Sequence, residues 1–345
     1  MKAVVFDHHG GLEVLQYRDV PLPELSSGEV LIRVKAAACN YNDIWARKGL
    51  PGMEFAFPHI SGSDVAGVVE EVGSEVRHVR PGDEVVVYCG LSCRLCAACA
   101  RGEPFFCRAF QIWGFETGPL AGGYAEYVKL PEFYVIPKPP LLSWEEAASL
   151  PLVLVTVWRM LVSRAHVRPG DFVLIWGSAG GLGAIAIQIC TLFGAHAIAV
   201  AASDDKLALA HSLGAEFLIN RTKQRVLREV SRITQRQGVD IVFEHVGAAS
   251  WETSTLALKW GGTIVTCGAT TGFKAPLDLR FLWTKQQNYL GSHLGNKAEL
   301  LEALQFVEQG QIKPVVSDVY PLKEIGRGQE KLERGEILGK IVLVP

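Results

Sequence analysis

A chain of 345 residues, 49% hydrophobic and 20% charged, is long enough for two domains and too apolar to stay disordered. Its formal charge of -2 and pI of about 6.5, with Lys and Arg dispersed, leave no basic field for a polyanionic duplex, which argues against nucleic acid as a partner. No basic start followed by an apolar core opens the chain, so a cytoplasmic protein is expected, and its eight cysteines read as metal ligands and buried thiols rather than disulfides.

From residue 1 to about 140, short apolar runs cut by Gly and Pro (2–6, 29–37, 67–72, 84–87, 124–128) predict a small antiparallel barrel. Within it, Cys93, Cys96, Cys99 and Cys107 follow C-x2-C-x2-C-x7-C, which lets one loop wrap four thiolates tetrahedrally around a structural zinc, with Cys89 as a spare ligand. A metal so saturated has no open position for substrate. From Trp144 onward, helical patterns alternate with apolar strands at 172–176, 195–202, 217–220, 240–244, 263–267 and 289–292, which predicts a parallel, doubly wound sheet. The apolar stretch 172–202 is broken by Gly177, Gly180, Gly181, Gly183 and Gly194 and contains Gln188 and His196, so it reads as strand, helix and strand rather than a membrane span. Cys190 and Cys267 lie in apolar runs and are expected in the core. A helix over 297–309 and strands near 315–319 and 340–344 return to the first domain. The expected domains are therefore 1–150 with 295–345, and 151–294.

The nucleotide site is read from the turn after the strand at 172–176. Ser178, Ala179, Gly180, Gly181 and Leu182 sit where backbone must approach a pyrophosphate, at the N-terminus of an Ala- and Ile-rich helix. Ser178 occupies the first glycine position of G-x-G-x-x-G. At the end of the second strand, where NAD enzymes usually carry Asp or Glu, stand Ala201, Ala202 and Ser203. Ser203, Lys206 and Arg221 can meet a 2′-phosphate there, so NADPH is the expected cofactor, while Asp204 and Asp205 keep NAD in play. Val246 and Gly268 complete the expected cofactor contacts.

Barrel, doubly wound domain, cysteine loop and glycine turn together resemble the medium-chain dehydrogenase/reductase superfamily over essentially the whole chain. The resemblance implies an α/β fold: a GroES-like β-barrel domain plus a Rossmann domain. By motif, the three positions that hold catalytic zinc in the superfamily's alcohol dehydrogenases fall on Asn40, Ser63 and Leu152, none of them a zinc ligand; a register shift would offer Cys39 with His59 instead. Within the superfamily NYNDIWA (40–46), PHISGSD (58–64), IWGFET (112–117), WGSAGGLG, VFEHVG (242–247), GATTGF (268–273) and GSHLGN (291–296) look like the crotonyl-CoA carboxylase/reductase branch. That resemblance implies a CO2 pocket on Asn40 or Asn42, Phe115, Glu116 and His293, and a dimer or tetramer. The branch members are longer and lack the four-cysteine loop, so a reductase without carboxylation is the first expectation.

The implied chemistry is hydride transfer from NADPH to the β-carbon of a short 2-enoyl-CoA thioester, which needs positioning and hydrogen-bond donors at the developing enolate rather than a Lewis acid. The alternatives are a zinc-independent quinone or enone reductase, a zinc alcohol dehydrogenase, and a nucleotide-binding protein without turnover.

Overall fold

The computed structural model describes residues 1–345 and divides them into two compact units, residues 1–152, 296–304 and 314–345, and residues 153–295 and 305–313. No helix is long and apolar enough to cross a membrane.

The hub of the first unit is the ten-residue strand Glu29–Ala38, rich in Val, Ile and Ala and buried along most of its length. It pairs antiparallel with Asp64–Val72, Tyr127–Pro131 and Lys340–Val344. Asp64–Val72 pairs in turn with Glu84–Val87, and that strand with Val135–Pro137. Because Tyr127–Pro131 and Val135–Pro137 are separated only by the turn Glu132–Tyr134, the sheet returns on itself and forms the expected barrel.

Val316–Pro321 and Lys340–Val344 join this sheet as expected and run parallel to each other, because the helix Ile325–Glu333 carries the chain back between them. One detail departs from expectation. The strand expected over 124–128 begins only at Tyr127, because Tyr124 is drawn inward: its N–H donates to the Ser61 carbonyl and its hydroxyl to Asp43.

The second unit holds a six-stranded sheet: β1 (Phe172–Trp176), β2 (His196–Ala201), β3 (Phe217–Asn220), β4 (Val239–Glu244), β5 (Leu258–Thr266) and β6 (Asn288–Gly291), in the order β3-β2-β1-β4-β5-β6 and parallel throughout. Leu174, Ile198, Ile219, Val242 and Ile264 build its core. This is the doubly wound topology whose carboxyl edge receives ligands. The register sets Glu244 opposite Thr266 and Thr266 opposite Gly291, so the residues that follow β4, β5 and β6 emerge at one level of that edge. Cys190 is fully buried as expected, whereas Cys267, one residue past β5, is only half-buried because the sheet ends before it.

Candidate functional site

In the first unit the site is built on the helix Tyr41–Lys48, whose N-cap is Asn40. Asp43, fully buried, accepts the Asn40 N–H at 2.7 Å, the Gly62 N–H at 3.2 Å and the Tyr124 hydroxyl, tying helix start, glycine loop and barrel together. Burial pushes the Asp43 carboxyl up to about 7 and the neighbouring Cys39 thiol up to about 12.

The two asparagines of the NYN segment then part company. Asn40 is fully engaged: its Nδ2 donates to Asp64 at 2.8 Å, and its Oδ1 accepts from the ammonium of Lys340. Asp64 also accepts from Lys340 at 3.3 Å and from the Leu152 N–H at 2.8 Å. All three side chains, Asn40, Asp64 and Lys340, are buried. Asn42 donates to Ser63 Oγ at 3.0 Å, while the other end of its amide is buried with no partner. Asn40's hydrogen-bonding capacity is thus spent on Asp64 and Lys340, which makes its side chain a structural link. Of the two, Asn42 is the one with an amide end to offer.

Phe115 and Glu116 lie on a turn that begins at Ile112. The Gly114 N–H donates to Thr117 Oγ1 at 2.9 Å, and a Cβ at Gly114 would stand 1.9 Å from the Gly62 carbonyl oxygen. Only glycine permits that approach, which sets the turn directly on the Gly62–Ser63 peptide beside Asn42. Phe115 is buried and meets Phe55 edge to face at 5.7 Å. Glu116 is no free surface charge, since one carboxylate oxygen accepts the Ile112 N–H at 2.6 Å. His59 is packed beside Phe6 and Phe55 with neither ring nitrogen in hydrogen-bonding geometry, and burial lowers its pKa to about 4 despite the nearby Ala56 and Gly114 carbonyls.

Cys93, Cys96, Cys99 and Cys107 converge, with all four sulfurs within 4.8 Å of one another. Neighbouring pairs stand 3.4 to 3.9 Å apart, matching the separation of roughly 3.8 Å that tetrahedral bonds of about 2.3 Å impose on zinc-bound thiolates. The Leu95 and Cys96 N–H groups point at Cys93 and lower its pKa to about 6, which favours the thiolate. Cys89 is not part of this set; it lies buried, its thiol pushed well up. No other convergence of three or more His, Cys, Asp or Glu ligand atoms occurs, so Cys39 and His59 are not drawn into a second centre. At Asn40, Ser63 and Leu152 the donors present are an amide committed to an ammonium, a hydroxyl and a backbone N–H, a set that does not fit a zinc ion.

In the second unit the glycine turn joins β1 to helix α1 (Gly181–Leu192), which has Gly180 as N-cap. A Cβ at Gly183 would lie 2.4 Å from the Gly177 carbonyl oxygen, so glycine is what lets helix and turn close on each other. Ser178 is fully buried, and its hydroxyl donates to the Val200 carbonyl at 3.1 Å, so its side chain shapes the turn. Beyond β2, Ser203 is the N-cap of the next helix and its side chain hydrogen-bonds Asp205. Asp204 is held by Lys223 at 2.5 Å and Asn220 at 2.7 Å, and Arg221 is exposed at the end of β3. Lys206 is half-buried on the same helix as Asp204 and Asp205.

At the carboxyl edge, buried Glu244 accepts from Val246 N, Gly247 N, Ser250 Oγ and Ser254 Oγ, and Ser254 accepts from Trp176 Nε1. This network fixes the loop that presents Val246. His245 bonds the Trp176 carbonyl at 3.0 Å and packs on Gly177, so it braces the turn. Gly268, past β5, accepts from Thr266 Oγ1 at 3.2 Å. His293 is exposed two residues beyond β6. Sequence reasoning missed Lys340, Ser63 as an Asn42 partner, and the Glu244 network. Lys340 carries no local signal, being the ordinary first residue of a strand.

Residues 26–140 match the alcohol dehydrogenase GroES-like domain family and residues 181–309 the zinc-binding dehydrogenase family. A crotonyl-CoA reductase of Streptomyces avermitilis is 37% identical over 94% of this chain and 80% of its own, and a crotonyl-CoA carboxylase/reductase of Cereibacter sphaeroides is 35% identical over 97% and 84%. Among solved structures, one described as an NAD-dependent alcohol dehydrogenase superposes with a TM-score of 0.96 at 44% identity, covering 100% of both chains. A 2-octenoyl-CoA carboxylase reductase in complex with NADP and 2-octenoyl-CoA gives a TM-score of 0.90 at 32% identity, covering 99% of this chain and 87% of that one. The chain belongs to the medium-chain dehydrogenase/reductase superfamily.

Proposed function

We propose that this protein reduces the C=C bond of a short-chain 2-enoyl-CoA thioester with NADPH and without a catalytic metal, plain reduction being the first reading and reductive carboxylation the second. The observation that carries the reading is Asn42: a buried amide end with no partner, beside the Phe115–Glu116 turn and bonded to Ser63, one of the three positions that the resemblance aligns with catalytic zinc ligands. Leaving such a group unpaired costs about 1–3 kcal/mol, a cost removed when a ligand's polar atom meets it. The likeness to crotonyl-CoA reductases and carboxylase/reductases supports the same substrate class.

Bound NADPH supplies the hydride to the β-carbon. The chain's residues do the rest: Asn42 orients the electrophile, Phe115 excludes water from it, and Glu116 and His293 set its orientation. The enolate then takes a proton or attacks CO2. Arg221, Ser203 and Lys206 favour a 2′-phosphate, since Asp204 is already neutralised by Lys223. The four thiolates hold a structural zinc that takes no part in the reaction.

The test is NADPH oxidation with crotonyl-CoA, with and without bicarbonate, followed by product identification. His293→Ala or Glu116→Ala is expected to change the ratio of carboxylated to reduced product more than the total hydride rate. Equal loss of both products would count against the CO2 role. A second reading, a dehydrogenase of alcohols, is favoured by the 44% identical neighbour; alcohol oxidation abolished by chelators would establish it in place of the first.

A further inference from the structure

The segment carrying His293 follows the edge strand β6, which has a sheet neighbour on one side only. A strand end so placed has little to hold it. The structure supplies a device from elsewhere in the same unit. After the helix Pro151–Trp158 the chain widens into a π-helix over Arg159–Arg164, marked by the Ala165 N–H reaching the Met160 carbonyl at 2.9 Å. This π-helix packs against β5. An inserted residue turns everything after it by about 100° around the helix axis, and π-helical insertions concentrate where a side chain has to be re-aimed. Here the last residue of the π-helix, Arg164, sends its Nε–H to the Gly291 carbonyl at 3.1 Å.

Gly291 is the final residue of β6. Its successor Ser292 continues the ladder, donating to the Thr266 carbonyl at 2.8 Å, and keeps a buried hydroxyl with no partner; His293 comes next. Arg164 and Thr266 thus grip the two polar groups of a single peptide, Gly291–Ser292, just before His293, Arg164 through its side chain and Thr266 through its backbone carbonyl. A guanidinium is suited to this, because its donors are held in a rigid plane and its charge persists at any working pH.

We infer that Arg164 is a positioning residue: through the Gly291 carbonyl it fixes the Ser292–His293 segment in the orientation that the reaction uses. The inference rests on the proposed role of His293, but its first readout does not.

With histidine labelled for NMR and the His293 signals assigned by their loss in His293→Ala, Arg164→Ala is expected to shift those signals, and Arg164→Lys, which keeps a donor, to return them toward the parent position. Unmoved His293 signals in a folded Arg164→Ala protein would overturn the inference. In turnover of crotonyl-CoA, Arg164→Ala should lower kcat/KM by roughly tenfold, the scale of a misaligned group. Arg164→Ala with His293→Ala should lose no more than His293→Ala alone. Fully additive losses would likewise overturn it. If the His293 signals move but His293→Ala leaves both rate and products untouched, the positioning stands and the role given to His293 in the proposed function falls.

Discussion

Asn40 and Asn42 are separated by one residue and end with opposite hydrogen-bond balances, which shows how little residue type alone says about a site. Lys340 makes the difference. Its ammonium is buried against Asn40 and Asp64, so Lys340→Met would strand a buried carboxylate; a loss of about 3–5 kcal/mol is expected, read from the denaturant midpoint. An unchanged midpoint would mean that Asp64 does not depend on this pair. His59 gives a second residue-level prediction. Its folded pKa is depressed to about 4 from 6.5, and the protonated form is the charged one, so the unfolded chain binds the extra proton first. Stability should therefore fall as pH drops from about 6.5 toward 4, by up to about 3 kcal/mol from this group. His59→Phe should flatten that part of the stability profile; a profile of the same slope in the variant would assign the acid sensitivity elsewhere.

At the level of elements, the strands were legible because apolar runs bounded by Gly and Pro allow few other readings, and all six strands of the parallel sheet lie where alternation with helical patterns places them. Boundaries moved where a tertiary bond competed with local pattern, as at Tyr124, whose hydroxyl is claimed by Asp43. The glycine turn shows the converse: its glycines mark it out in the sequence, but the inward rotation of Ser178 depends on β2 lying alongside to supply the Val200 carbonyl. Gly183→Ala tests the turn. A methyl group 2.4 Å from the Gly177 oxygen must push turn and helix apart, at about 1–3 kcal/mol of strain. Titration with NADPH should show affinity reduced by roughly tenfold or more. Wild-type affinity would show that the turn can retreat without disturbing the nucleotide.

At the level of the whole molecule, the four cysteines of one loop converge at metal-ligand distances, while the Asn40–Asp64–Lys340 cluster joins the start of one helix to two strands of the barrel. Elemental analysis is expected to find one zinc per chain. Cys107→Ser, which removes a ligand from the loop, should lower the melting temperature while leaving the hydride step of the surviving folded protein unchanged. Two zinc ions per chain would overturn the metal-free reading of the substrate site.

The sequence by itself determined the fold class, the barrel and doubly wound sheet, the cysteine loop and the glycine turn, since each is written in short-range spacing: apolar periodicity, four cysteines within fifteen residues, glycines between a strand and a helix. Only the tertiary structure decided which asparagine keeps a free amide end, that Glu116 is tethered, and that Arg164 reaches Gly291. Those outcomes depend on partners as far apart as residues 40 and 340, and no local pattern encodes a hydrogen bond whose two ends meet only when the sheet has closed.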